Sequence, residues 1–225
     1  MSTGNKVKIY LAPMEGVIDP FMREQYSAIG GFTSMVTEFV RVTQQILPPK
    51  VFYKYCPELL TQGQTLNFTP VYVQLLGSHP VVMGENAALA CQLGAPGIDL
   101  NFGCPAKTVN RHDGGASLLK NPERIFQVVA AVRKATPAHL PVTAKVRLGY
   151  SHKNFCQDIA QAVEAGGAQQ LTVHARTKME AYQPPAHWEF IAKMKSAIKT
   201  IPLVANGDIW TFEDFLECKK ITGCE

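Results

Sequence analysis

Residues 97–105 read Gly97-Ile-Asp-Leu-Asn-Phe-Gly-Cys-Pro105. A short apolar run, Gly97 to Leu100, stops at Asn101, and a single cysteine then stands between a glycine and a proline. Gly103 permits a backbone path closed to other residues, and Pro105 fixes the next φ. The pattern is that of a buried strand whose end carries a stiffly held thiol. In α/β folds with parallel strands, that end is where ligands bind.

Six further runs of the same kind flank it: Lys8–Ala12, Met35–Phe39, Val71–Leu75, Val142–Val146, Leu171–His174 and Leu203–Asn206. Most are near-continuously apolar, as expected of parallel strands covered on both faces. Helix-type stretches lie between them. Pro122–Lys134 places Ile125, Val128, Val129 and Val132 on one face, with Pro122 near its start. Phe155–Ala165 ends at Gly166-Gly167, a helix stop. Pro80–Leu93, His187–Ile198 and Thr211–Lys220 also read as helices, the last with Thr211 as N-cap and Asp214 three residues on. Residues 41–69 are less regular. Pro48-Pro49 reads as a helix breaker, and the segment is expected to be an excursion at the rim after the second strand.

Alternating strand and helix implies right-handed crossovers. No Gly-x-Gly-x-x-Gly follows the first strand, which disfavours a dinucleotide-binding sheet. The expected fold is α/β, a TIM (β/α)8-type barrel with seven of its eight strands, in one catalytic domain over residues 1–225. A barrel of this type usually takes about 250 residues, so the chain is expected to stop before the eighth strand.

The chain is 46% hydrophobic and 18% charged, with a formal charge of +4. A core can form, and an anionic partner is compatible but not required. The six cysteines form no C-x-x-C pair, which speaks against zinc, and reduced thiols in a cytoplasm are expected. Met1 to Lys8 lacks an apolar stretch of the signal-peptide kind, and no run approaches roughly 20 apolar residues, so no membrane contact is expected.

Every apolar run ends in polar groups. The first ends in Met14-Glu15, the second in Glu38, the third in Gln74, and the fourth in Asn101 with Cys104 beyond. The fifth carries Lys145 and Arg147, the sixth His174 and Arg176, the seventh Asn206 and Asp208. A barrel gathers these ends at one mouth. Lys145 carries the most information. It lies between apolar residues on a central strand, where an amine needs an anionic partner or a depressed pKa. Gln74 also fits a backbone-satisfying role, His174 a hydrogen-bonded core role, and Asn206-Gly207-Asp208 an ordinary turn.

Six motifs together give the chain a resemblance. Ala12-Pro-Met-Glu-Gly16, Val73-Gln-Leu-Leu-Gly77, Asp99-Leu-Asn-Phe-Gly-Cys-Pro105, Ala144-Lys-Val-Arg-Leu-Gly149, Thr172-Val-His-Ala-Arg176 and Ala205-Asn-Gly-Asp208 resemble, in order and spacing, the bacterial tRNA-dihydrouridine synthases. Glu38-Phe-Val-Arg-Val42, Leu47–Phe52 and Cys56-Pro-Glu58 are most similar to the branch acting on uridine 16. The resemblance implies FMN at the barrel mouth and NADPH as reductant. It implies that Pro13, Met14 and Glu15 border the flavin and that Gln74 and Lys145 bind its ring edge. His174 would lie near the cofactor, and Asn206, Gly207 and Asp208 would cradle the ribityl phosphate. It further implies Asn101 and Tyr182 on the target uracil, Arg41 on tRNA, and Cys104 as proton donor. Arg147 and Arg176 fall among the post-strand loops with Lys107, Arg111, His112, Lys153 and Lys178, and are read as tRNA phosphate contacts. The family's Gly-Arg pair on an eighth strand and its C-terminal helical domain have no counterpart here. A monomer with tRNA as partner and no metal is expected. Other readings are a flavin barrel reducing free pyrimidines, a lyase using a Schiff base on Lys145, and a non-catalytic RNA-binding fragment.

Overall fold

The computed structural model describes residues 7–224; the expectation that no leader occupies the N-terminus falls largely on residues outside that range. Parallel strands alternate with helices throughout. In chain order the elements are β1 (Tyr10–Leu11), α1 (Pro20–Ile29), β2 (Ser34–Val36), β3 (Val40–Arg41), α2 (Pro49–Tyr55), β4 (Val71–Leu76), α3 (Pro80–Gln92), β5 (Ile98–Asn101), α4 (Lys107–Arg111), α5 (Pro122–Ala135), β6 (Val142–Arg147), α6 (Cys156–Ala165), β7 (Gln170–His174), α7 (Trp188–Ala197), β8 (Leu203–Asn206) and α8 (Phe212–Thr222). Short 3-10 turns at Pro57–Thr61 and Gly115–Lys120 complete them.

The sheet runs β1-β2-β4-β5-β6-β7-β8, with β3 also on β4. Every named pair is parallel. The expected second run, Met35–Phe39, is strand only as far as Val36; Thr37–Phe39 breaks it, with Glu38 on the cleft lining, and the short β3 follows at Val40 on the same neighbour, β4. The result is a curled parallel sheet of seven strand positions with helices outside, as the alternation predicted. Among the described residues no pairing joins β8 to β1.

Period-two alternation sorts the strands' side chains between two environments. Val73, Leu75, Ile98, Leu100, Val142, Ala144, Val146, Leu171 and Val173 point outward and are fully buried under the helices. They meet α5 through Ile125, Val128, Val129 and Val132, all at 0% exposure. Each such burial contributes about 1.5–3 kcal/mol. The intervening residues, Gln74, Asp99, Asn101, Thr143, Lys145, Arg147, Thr172, His174 and Asn206, face inward, which is why the interior is polar.

Three helices depart from the sequence reading: α4 falls where a loop was expected, and two begin at prolines. Pro48-Pro49 does not break a helix; Pro49 opens α2, because proline at a first helical position gives up only an N–H that would be unpaired anyway. α1, absent from the reading, starts the same way. Asp19 caps it by accepting from Met22 N at 2.8 Å, and Pro20 follows. The helix predicted at Thr211 is present as α8, and the Thr211–Asp214 capping box is complete.

A buried ion pair fastens the excursion after β2 to α1. Arg23 is fully buried and donates to Glu58 Oε1 at 2.7 Å and Oε2 at 2.9 Å, with further bonds to the Ile18 and Tyr55 carbonyls. The anchored Ile18 carbonyl closes the loop that follows β1.

Candidate active site

The strand ends converge on a cleft of about 960 Å³. Pro13, Met14 and Glu15 border it from the β1 loop, Gln74 and Asn101 from β4 and β5, and Cys104 from the loop beyond. Lys145, Arg147, His174, Arg176, Tyr182 and Asn206 to Asp208 complete the other side. Of the residues singled out in the sequence, Arg41, Arg111, His112, Lys153 and Lys178 lie outside this lining. Arg41 sits on β3, near enough for its charge to lower the Cys104 thiol's pKa. No helix among the described residues is long and apolar enough to cross a membrane, and no metal-binding cluster occurs among them.

Cys104 is half-buried. Asn101 Oδ1 accepts from Gly103 N at 3.0 Å and Cys104 N at 2.9 Å, a local turn that points the loop back over its own strand. Asn110 Nδ2 holds the Cys104 carbonyl at 2.9 Å. Gly115, at φ +57°, lies against this loop; a Cβ there would come within 2.9 Å of the Cys104 carbonyl oxygen and 3.1 Å of its Cβ. Burial pushes the thiol's pKa up, opposed by the Ala106 N–H, reinforced by Glu15, and opposed again by Arg147 and Arg41. The sulfur therefore holds its proton at neutral pH.

Asn101 Nδ2 donates to Gln74 Oε1 at 2.9 Å, and Gln74 Nε2 donates to Asp99 Oδ2 at 2.7 Å. Among the described residues, one amide N–H of Asn101 has no protein partner, which suits it to a base edge. Lys145 Nζ donates to Asn206 Oδ1 at 2.9 Å. Burial lowers the amine's pKa to about 8, with Asp99 pulling it up and Arg147 down.

The arginines are placed differently from their expected position on the rim. Arg147 is 2% exposed and donates to the carbonyls of Gly103, Thr177 and Ala181. Arg176 is also 2% exposed. Its Nε donates to the Gln183 carbonyl at 2.7 Å, and its terminal nitrogens meet His174 Nε2 at 3.3 Å and Asp208 Oδ2. Arg176 thus faces into the protein, with three of its five N–H donors engaged there, rather than standing on the rim. The inward direction follows from strand parity for Arg147, the residue two beyond Lys145. Lys153 is likewise paired, with Glu180.

An arginine can only donate, so His174 Nε2 accepts and its proton sits on Nδ1. Burial, then Arg147, Lys145 and Arg176, drive the His174 pKa down to about 3. The ring is neutral across the physiological range. Tyr182, 69% exposed, tilts over it with centroids 5.8 Å apart. Gly207, at φ +120°, packs on the same ring, where a Cβ would approach His174 Cδ2 to 3.1 Å. Among the described residues, the Gly207 and Asp208 N–H groups have no backbone acceptor.

Two aromatic lining residues were given no role from the sequence. Trp210 is 84% exposed at the cleft edge, and Phe39 lines the opposite side. Each sits two residues from a motif already quoted or within one, so an aromatic beside a strand-end motif was the available signal.

The family model described as "Dihydrouridine synthase (Dus)" matches residues 10–225. The chain is 52% identical over 217 residues to the tRNA-dihydrouridine(16) synthase of Pseudomonas syringae pv. tomato, covering 96% of this chain and 68% of that protein. It is 52% identical over 219 residues to the protein of that name in Shewanella oneidensis (97% and 69%) and 49% identical over 220 residues to that of Haemophilus influenzae (97% and 71%). Among solved structures it is similar to a putative deoxyribose-phosphate aldolase from Coccidioides immitis, with TM-score 0.60, 17% identity, and 97% and 79% of the two chains covered. It is also similar to phosphonopyruvate hydrolase bound to oxalate and magnesium, with TM-score 0.58, 15% identity, and 96% and 74% covered. At those identities the likeness speaks for the barrel fold alone.

Proposed function

This chain belongs to the dihydrouridine synthase family, and from that premise we propose that it uses FMN and NADPH to reduce a uridine of tRNA, at position 16, to 5,6-dihydrouridine. The observation that carries the reading is the meeting of a protonated Cys104 thiol, Gln74 and Lys145 in one cleft.

The cleft suits FMN on three counts. Its volume, about 960 Å³, is at the upper end for ligand sites. The Gly207 and Asp208 N–H groups, without a backbone acceptor among the described residues and carried on a glycine at φ +120°, suit a phosphate. Asp208 does not repel an anion there, because Arg176 neutralises it. Lys145 supplies a positive charge for the flavin ring edge, and Gln74 an amide. Pro13 and Met14 close the side toward β1, and Glu15 follows them. Reduced flavin, when bound, supplies hydride to C6 of the uracil.

The chain's own residues do the rest. Addition at C6 places negative charge on C5 and O4, and a proton must reach C5. Cys104 holds one at neutral pH and stands on a loop fixed by Asn101, Asn110 and Arg147. The free Asn101 N–H can receive a uracil oxygen. Tyr182 and Trp210, both exposed at the mouth, offer stacking faces to a base turned out of the tRNA, worth about 1–3 kcal/mol per base. Lys107, on the cleft lining, and Arg41 remain as phosphate contacts.

Purified protein should take up FMN with a visible flavin spectrum. With NADPH it should form dihydrouridine in tRNA lacking the modification, and none in free uridine. Turnover of free pyrimidines at a comparable rate would favour the small-molecule reductase instead.

A further inference from the structure

Asp99 has no role in the chemistry described so far. It is 4% exposed, and among the described residues no cation lies within 4.0 Å of its carboxylate. Burying a carboxylate is costly, and the hydrogen-bond donors to this one are neutral, with the Lys145 charge acting on it from beyond hydrogen-bond reach. Thr143 Oγ1 donates to Oδ1 and Gln74 Nε2 to Oδ2. All three side chains face inward on adjacent strands, in direct register: Gln74 opposite Asp99 on β4 and β5, Asp99 opposite Thr143 on β5 and β6.

The bonds above Asp99 continue in one direction. Gln74 turns its NH2 to the carboxylate, so its Oε1 must face Asn101. Asn101 turns its NH2 to that oxygen, so its own Oδ1 must face the Gly103 and Cys104 N–H groups. Each amide has one acceptor and one donor end, so fixing one end fixes the other. The direction is fixed from the Cys104 end, because two backbone N–H groups can only donate; at the other end burial pushes the Asp99 pKa up, while Thr143, Gln74 and Lys145 pull it down.

We infer that Asp99 is the positioning residue for Cys104: it sets the orientation of the Gln74 and Asn101 amides and, through them, the loop that carries the thiol. Its importance for reduction rests on Cys104 being the proton donor, but its effect on the thiol does not.

The test is the rate of Cys104 alkylation by iodoacetamide, followed by peptide mass spectrometry. Cys91, partly exposed near the end of α3, serves as internal reference. It needs neither tRNA nor turnover, so its outcome is separate from that of the functional reading. In Asp99→Ala the Gln74 amide loses its acceptor and the Cys104 loop loosens. A looser thiol is less desolvated and more often ionised. Its alkylation relative to Cys91 should rise about two- to tenfold, the factor that one net hydrogen bond carries. Asp99→Asn still offers an oxygen to Gln74 and should fall between Asp99→Ala and wild type. Gln74→Met cuts the relay with Asp99 in place and should match Asp99→Ala; a purely structural role for Asp99 would leave Cys104 unmoved in that variant. An unchanged Cys104-to-Cys91 ratio in folded Asp99→Ala, or in Gln74→Met should Asp99→Ala not fold, overturns the assignment.

Discussion

The Nε of Arg147 donates to the carbonyl of Gly103 at 2.9 Å, one residue before the thiol. The same guanidinium reaches the Ala181 carbonyl at 2.7 Å, one residue before Tyr182. One buried side chain on β6 thus ties the loop bearing the proton donor to the loop bearing the exposed aromatic ring. Lysine keeps the charge but cannot fork. Arg147→Lys should retain flavin and slow single-turnover reduction of tRNA uridine about 10- to 100-fold, the penalty for misplacing a reacting group by about an ångström. An unchanged rate would show that the tie is dispensable.

Lys145 gives the cleft a pH dependence of definite sign. In the flavin-free protein its amine is cationic below about 8 and neutral above, against an ordinary value of 10.5. An anionic flavin favours the cation and raises that value. FMN affinity should therefore weaken as pH rises above about 8. Lys145→Met should bind more weakly and lose this dependence. His174, at about 3, adds none in the neutral range. Flavin fluorescence titrations across the alkaline range provide the measurement.

Arg176 and Asp208 form a pair whose contribution appears in acid. The Arg176 hydrogen bond holds the Asp208 carboxyl below the usual carboxylate range, with burial opposing and the Ala186 N–H assisting. A depressed carboxyl stabilises the fold above its unfolded value, and the gain is lost as pH falls through the folded one. Asp208→Asn should cost about 2 kcal/mol near neutrality. The gap to wild type should close on acidification. Urea unfolding at several acidic pH values reads it; a gap independent of pH would contradict the pairing.

Arg23 and Glu58 lie outside the cleft, and their separation should damage stability. Glu58→Gln leaves a fully buried guanidinium without its charge partner, at a cost of about 3 kcal/mol or more. Arg23→Met with Glu58→Met removes both charges and should recover part of that loss in denaturant midpoints.

The barrel was legible because apolar runs alternate with helical stretches and the inward polar residues recur two apart: Asp99 with Asn101, Lys145 with Arg147, Thr172 with His174. The same parity gathered the cleft. Proline concealed α1 and α2, since Pro20 and Pro49 look like breakers until a first helical position is assigned. Sequence placed Arg147 and Arg176 on the rim as phosphate contacts, whereas both turn inward. A cation at a strand end serves a ligand or the protein according to which carbonyls and carboxylates the loops bring to it, and loops 177–183 and 206–208 are set by tertiary contacts. Asp99 was visible within its motif, but its partners on β4 and β6 follow only from register.

The central claim is that Cys104 delivers the proton. Its most direct test is a single anaerobic turnover of reduced, flavin-loaded protein on unmodified tRNA, comparing wild type with Cys104→Ala. The account predicts equal flavin content and tRNA binding, with rapid flavin reoxidation and dihydrouridine formation in wild type only. Dihydrouridine formed by Cys104→Ala at the wild-type rate would contradict it.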